Sequence, residues 1–471
     1  MTITDPPRFF PRFVDGCSHY ALADLGRKYE AVVGAASISF VAGRWQGNAL
    51  RFDGGPAHVE AVSRRLWCGR YGGFAFASRE PGDAVWSQGK SLYVWGATWG
   101  AATEVVLADF VWRSPAGAVT PQTSLHLHAD GSLSIWQGTA TVQLCRSPAG
   151  AVPFDAWCYV EFRVTQDSGR VATYFDPYPP GSEGHGQVYA EVDGATVTSN
   201  PACNSSAIRG IWTSGRLNGQ GWVTGPRFGN LGVPPSAGTN TLRLDVCDIF
   251  AATQQNQDPW DGTADTWRVP TVGPRRVWTV AFGADDPATA ATAWPRTGAA
   301  TNWQAVQTAD FDTSYVQSVG FNNADPGRQD GYLPAMTGAP DMADGFCSVW
   351  LLAEPPPGVT RNATNSSEQS SWQGGDFTAH AGDLYLYDDG GTFATDYKYW
   401  CGYGNYTQHY APFYVSGTTT MQRWTTALLG RAILRSNNDY NPCRVTQVAA
   451  ELLYQPTPSP ARGRTWAVWL P

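Results

Sequence analysis

Apolar and polar residues alternate along LHLHADGSLSIW (125–136), and the alternation turns back on itself at Asp130-Gly131. A period of two puts successive side chains on opposite faces of a strand, and Asp-Gly between two such runs is the strongest short-range signal for a β-hairpin. VVLADFVW (105–112) reads as a further strand, and VYAEVDGATVT (188–198) repeats the hairpin around Asp193-Gly194. Helical periodicity is nearly absent: the best stretch, SHYALADLGRKYEA (18–31), is short and runs into turn-rich sequence. With 51 glycines, 33 prolines and 13% aromatics in 471 residues, the chain carries the turns and ring-bearing strands of an all-β protein. The prediction is two β-sandwich or jelly-roll domains.

Charge narrows the partners. Only 15% of residues are charged, the formal net charge is −8, and the basic residues never cluster. Nucleic acid is therefore not an expected partner, because phosphate neutralisation needs grouped Lys and Arg. No window approaches 18 uninterrupted apolar residues, so membrane insertion is not expected either. The opening MTITDPPRFFPRF lacks the basic-then-apolar order of a signal peptide, which points to synthesis in a cytoplasm. Nine cysteines without a CxxC pair read as buried free thiols.

Proline-rich segments divide the chain. GVPPSAGTN (232–240) could be a linker or a loop before one last strand, LRLDVCDIF (242–250), and is read as the loop. AEPPPGVTRNATNSSEQSS (353–371) reads as a long exposed loop, and PTPSPARGRTWAVWLP (456–471) as an extended tail suited to docking on another copy. The expected organisation is an N-terminal arm (1–12), a first sandwich (13–252), a second (253–455) and the tail (456–471).

FVDGCSHYALADLGRKYEAV (13–32), followed by GRWQGNALRF (43–52), resembles the opening of the concanavalin A-like (laminin-G-like) domain of tailed-phage structural proteins, with its F-x-D-G-x-x-H-Y turn and G-R-x-x-G-x-A-L-R strand. WCYVEFRV (157–164) with AEVDGATVT (190–198), and then LRLDVCDIFAA (242–252), resemble later strands of the same domain. WDGTADTWRVPTVGP (260–274), TAWPRTGAATNWQAVQ (292–307), ADFDTSYVQS (309–318), RWTTALLGRAILRSN (423–437) and CRVTQVAAELLY (443–454) follow the order of a second β module in such proteins. The chain departs from the pattern in DPYPPGSEGHGQ (176–187) and at Cys17. The resemblance implies a first domain of concanavalin A-like fold and a place in a virion assembled in a host cytoplasm. Other virion proteins and copies of this chain would be its partners, and host surface glycan its ligand.

Lectin-like folds also house glucanases, which resemble one another in a strand bearing two glutamates. Here only Glu191-Val-Asp193 approaches that strand, the second glutamate is missing from it, and no catalytic residue is assigned. His126 and His128 share a strand face at metal-ligand spacing but read as exposed polar positions of a hairpin. YKYWCGYGNYTQHYAPFY (397–414) places Trp400, Tyr403, Tyr406 and Tyr410 among amides, with Gly402 and Gly404 favouring a loop. Rings so placed serve either glycan stacking or packing, and VWGATWG (94–100) holds the same two alternatives. Asp310 and Asp312 begin like a calcium loop, but Tyr315 and Phe321 stand where an EF-hand needs Gly and Glu, so the pair reads as a turn and no metal or cofactor is assigned.

Together these readings lead us to expect a non-enzymatic virion protein, a minor tail or tail-fibre component working as an oligomer. A capsid decoration or head-spike protein, or a glycan depolymerase, is the alternative.

Overall fold

The computed structural model describes residues 9–61, 66–67, 85–113, 119–137, 142–165, 188–192, 195–196, 225–234, 240–254, 275–290, 293–308, 310, 313–317, 329–335, 338–354, 379–388, 397–401, 406–411, 413–414, 421–422, 424–429, 432–437 and 444–456. They form an all-β protein of antiparallel sheets with a few single-turn helices. The helical stretch of the sequence shrinks to Leu22–Asp24 and Leu25–Lys28. Among the described residues no helix is long and apolar enough to cross a membrane.

The first sandwich stacks two sheets. One runs Ala195–Thr196, Val188–Val192, Trp157–Thr165, Val85–Val94, Arg243–Gln254, Asn48–Asp53, Ile38–Ala42, with Phe9–Asp15 also paired to Arg243–Gln254. The other runs Val142–Arg146, Leu133–Gln137, Val119–His128, Glu104–Arg113, Gly225–Asn230, Ala57–Glu60, Ala31–Val33. Alternation decides which side chains meet between them. Leu125, Leu127, Leu133 and Ile135 join Val105, Phe110, Leu50, Leu92 and Leu244 in one core. Each such aliphatic side chain contributes roughly 1.5–3 kcal/mol on burial. The hairpin closes through Gly131, whose φ of +77° is left-handed and where a Cβ would meet Val152 O at 2.9 Å.

Arg243–Gln254 follows the proline-rich loop and lies centrally in the first sheet. A bulge between Cys247 and Phe250 interrupts it, and Asp248 there takes φ +51°.

The second sandwich has a sheet running Arg296–Thr297, Tyr315–Gln317, Arg444–Pro456, Met342–Glu354, Tyr406–Ala411, with Arg276–Val280 also on Arg444–Pro456. Leu66–Trp67, from the first half of the chain, joins its edge in parallel to Tyr406–Ala411. The facing sheet runs Phe282–Asp285, Gln329–Pro334, Ala432–Asn437, Ala379–Asp388, Tyr397–Cys401. Phe282 and Tyr332 of this sheet pack with Val349, Leu351 and Leu452 of the other. The first core also takes in Trp350, Leu352 and Ala449, so the two sandwiches meet without a gap in apolar packing. The four described cysteines, Cys17, Cys158, Cys247 and Cys347, are buried free thiols.

Candidate functional site

The outer face of the first sandwich's Arg243–Gln254 sheet carries an ordered grid. Register places Trp157, Tyr93, Asp245 and Arg51 in one row across four strands. Tyr159, Ser91 and Cys247 form the next row, then Glu161, Gly89 and Phe250. Trp95, two residues along the strand from Tyr93 and level with Arg243, stands in the adjacent row on the same face, its ring centroid 5.1 Å from Tyr93, which lies 5.6 Å from Trp157. All three rings are half-buried, so their faces are partly open to water.

The charges of this row are neutralised in pairs. Arg51 makes a two-pronged bond to Asp245 at 2.7 and 2.8 Å, while Trp95 Nε1 donates to the same carboxylate at 3.0 Å. Arg243 pairs with Asp53 at 3.2 and 2.8 Å, and both guanidinium groups lie over the Trp95 ring, at 4.9 and 5.6 Å. Rings flanked by planar Arg–carboxylate edges can stack on a sugar ring and bond its hydroxyls.

Two rows deeper the face is buried. The Tyr159 hydroxyl donates to Glu161 Oε2 at 2.8 Å, and both residues are shielded from water. Register sets Glu191 directly opposite Glu161. Directly opposed residues of an antiparallel pair have Cβ atoms about 4.5–5.5 Å apart. The second glutamate, missing from the Glu191 strand, therefore comes from its neighbour, WCYVEFRV. The two glutamates lie on different strands and become neighbours only through the pairing of 157–165 with 188–192. Beside them Ser91 donates to Asp248 Oδ2 at 2.8 Å, and Val277 N–H donates to Asp248 Oδ1 at 2.9 Å, so the bulge aims this carboxylate at the second sandwich. Burial raises its pKa, against the pull of those bonds.

The F-x-D-G-x-x-H-Y turn builds the seam between the sandwiches. Asp15 accepts bonds from Cys17 N–H at 2.8 Å and from the hydroxyls of Tyr20 and Tyr29. Glu451 of the second sandwich accepts from Gly16 N–H at 2.8 Å and Trp350 Nε1 at 2.9 Å, with His19 Nδ1 at 3.0 Å. Asp15, His19 and Glu451 could offer ligand atoms to a metal, all within 4.8 Å of one another. The Lys28 ammonium already supplies positive charge there, 2.8 Å from His19 Nε2, 3.8 Å from Asp15, 4.0 Å from Glu451 and 3.1 Å from the Trp350 ring centroid. Burial lowers the Lys28 pKa to about 8 against the pull of the two carboxylates. Burial alone would raise Glu451, but His19 and Lys28 outweigh it and hold its pKa below the usual range.

The other sequence candidates fall as follows. His126 and His128 are not exposed hairpin positions: they are 0% and 7% exposed. Each is held by a serine and by Glu104, so burial leaves their nitrogens satisfied. Trp400 stands opposite His380, and Tyr406 and Tyr410 opposite Leu352 and Ser348. The expectation of a loop around them is corrected, since Tyr397–Cys401 and Tyr406–Ala411 are strands, and of two different sheets. Tyr403 lies outside the described residues, as does Asp312. Asp310 shapes a turn, accepting from Ser314 N–H and Oγ, both at 2.9 Å.

No protein family and no curated protein matches the chain. Similar solved structures include a Trypanosoma rangeli sialidase in complex with the inhibitor DANA, at 13% identity and TM-score 0.28, covering 53% of this chain and 30% of that one. Another is the marine PL-14 alginate lyase from Aplysia kurodai, at 11% and 0.32, covering 52% and 99%. A third is a family 7 alginate lyase A1-II′, at 12% and 0.28, covering 46% and 83%. Likeness at this level carries no activity across to this chain. The expectation of a non-enzymatic virion protein is nonetheless corrected. The named neighbours are sialidases and alginate lyases, which stand nearer to its glycan-depolymerase alternative.

Proposed function

We propose that the chain is a glycan depolymerase, binding its polymer along the Trp157, Tyr93 and Trp95 rings, with Glu161, on the same face but 0% exposed, acting only once what covers it shifts. The observation that carries this is Glu161 standing opposite Glu191 with the Tyr159 hydroxyl on its carboxylate. Glycosidases work with a pair of carboxyl groups, and register brings two glutamates to neighbouring strands here. Because Arg51 and Arg243 are each matched by an aspartate, the row favours neutral, hydroxyl-rich sugars over polyanions.

Incubation of the purified chain with a panel of bacterial envelope polysaccharides tests this by the appearance of new reducing ends. Release that disappears in Glu161→Gln, with unchanged thermal unfolding, is the expected result. Release unaffected by Glu161→Gln, or no release from any glycan, overturns the reading. On the resemblance of its motif order to tailed-phage modules alone, we further propose a setting on a virion, beside other virion proteins and further copies of this chain. Mass spectrometry of purified phage particles tests that setting separately.

A further inference from the structure

The opposite outer face, that of the Glu104–Arg113 sheet, holds a second chemistry. We propose that Ser134 is a nucleophile for hydrolysis of short-chain carboxylic esters, with His128 its general base and Glu104 the group that orients His128. Ser134 Oγ lies 2.7 Å from His128 Nε2, and His128 Nδ1 lies 3.5 Å from Glu104 Oε2. That order of hydroxyl, imidazole and carboxylate is what an activated serine requires. Trp136 Nε1 donates to the same Oγ at 2.8 Å, which favours an alkoxide there. Arg146 stands directly across the strand pair from Ser134, exposed, with Nε donating to Ser132 Oγ at 2.9 Å and Nη2 to Asp130 at 3.0 Å.

Burial first, and Arg146 next, push the His128 pKa down to about 4, against the pull of Glu104, so the ring is neutral at physiological pH. Glu104 also meets His126 Nδ1 at 3.4 Å, and His126 Nε2 lies 2.9 Å from Ser124 Oγ. One carboxylate thus orients two histidines. We place the nucleophile on the His128 branch because its serine contact is shorter and receives the indole N–H. Half-exposed Trp136 and exposed Arg146 lie beside Ser134, which is itself 0% exposed, so an acyl group reaches the hydroxyl only when they move aside.

The step balances as ordinary acyl transfer. Ser134 Oγ bonds to the ester carbonyl carbon as its proton passes to His128 Nε2. The bond from that carbon to the alcohol oxygen breaks, and the alcohol leaves with the proton from His128. Water then repeats the sequence, giving a carboxylic acid and free Ser134. An O-acylated sugar is a fitting substrate, but the site is independent of Glu161 and of the depolymerase reading.

The purified chain incubated with 4-methylumbelliferyl acetate should release the fluorophore. A fluorophosphonate probe should label the wild-type protein on the peptide containing Ser134. Ser134→Ala should lower the rate by about a hundred-fold or more, whereas Ser39→Ala, at an exposed serine of the other sheet, should not change it. His128→Gln should lower the rate with the fold kept. Peptide mapping of the wild-type adduct keeps the test decisive even if Ser134→Ala does not fold. No label, a label on another residue, or full turnover by Ser134→Ala overturns the proposal. Glu161→Gln should leave ester turnover intact, which separates this outcome from failure of the depolymerase reading.

Discussion

One sheet face of this protein has two fates. Toward one end Val14, Tyr159, Phe250 and Ala252 pack against Val277, Phe346 and Leu453 of the second sandwich and are closed. Toward the other, the same strands present Tyr93, Trp95 and Trp157 half-open. Pleat and twist are common to both ends, so the difference lies in how charge is settled. At the closed end the charged groups are matched partly across the seam, Lys28 to Glu451 as well as to Asp15, and Asp248 to a backbone N–H of the second sandwich as well as to Ser91. At the open end Arg51 and Arg243 find their carboxylates on neighbouring strands of the same sheet. An end that needs the partner domain for its charges is committed to it, whereas an end that settles its own is free to receive a ligand.

The sharpest way to break this contrast is Glu451→Ala. It leaves His19, Lys28, Gly16 N–H and Trp350 Nε1 short of their partner in a buried setting. Removing one member of a buried charge network costs about 3–5 kcal/mol. Denaturant unfolding followed by tryptophan fluorescence should show that loss, with the single transition splitting as the sandwiches part. A loss under about 1 kcal/mol, the value of an exposed pair, would remove the distinction.

Acid should act on the same residue. Because the folded-state pKa of Glu451 is depressed, the stability it contributes is complete above the ordinary glutamate value of about 4.3 and is lost as pH falls below it. Small-angle scattering should show the seam opening under acid in the wild type. The Glu451→Gln variant should lack that transition.

Trp350→Phe is milder. It keeps a ring beside Phe13 and Lys28 but removes the indole N–H that serves both Val14 O at 3.1 Å and Glu451 at 2.9 Å. Leaving buried acceptors short of a donor costs about 1–3 kcal/mol, read from the same unfolding curves.

The sequence made the strands and the hairpin at Asp130-Gly131 readable because period two and a left-handed turn are local properties. Asp310 was readable as a turn for the same reason, since its partners lie within four residues. The candidate site was not, because it is made by register. Trp157, Tyr93, Asp245 and Arg51 are scattered over nearly two hundred positions and become neighbours only when four strands align. Asp15, Gly16, His19 and Tyr20 were recognisable as a motif, but their shared purpose needed Glu451, more than four hundred residues on. His126 and His128 were misjudged because alternation tells which side of a strand a residue faces, not whether that side meets water.

At the open end, Trp95→Ala separates binding from stability. The ring is half-buried and its loss should weaken retention on an immobilised glycan substrate about tenfold, near the 1.4 kcal/mol that one good stacking contact supplies. Thermal unfolding should shift far less than in Glu451→Ala. Equal damage to stability would mean that Trp95 belongs to the seam in all but position.

Asp53→Asn should have the smallest effect. It weakens the pair with Arg243, in which the aspartate side chain is 50% exposed and the guanidinium 33%. Exposed pairs contribute about 0.2–1 kcal/mol, because water already solvates both partners and salt screens them. Arg243 would keep its place over Trp95, 5.6 Å from the ring, so the platform should stand. Releasing the guanidinium from its carboxylate leaves a positive edge beside the rings, and the preference of the row should then move from neutral toward acidic glycans. Retention of a neutral and a uronic-acid polymer, compared at low and high salt, reads this directly. A variant that binds both as the wild type does would show that the pairing of charge at the open end is a feature of the sheet and not of its ligand.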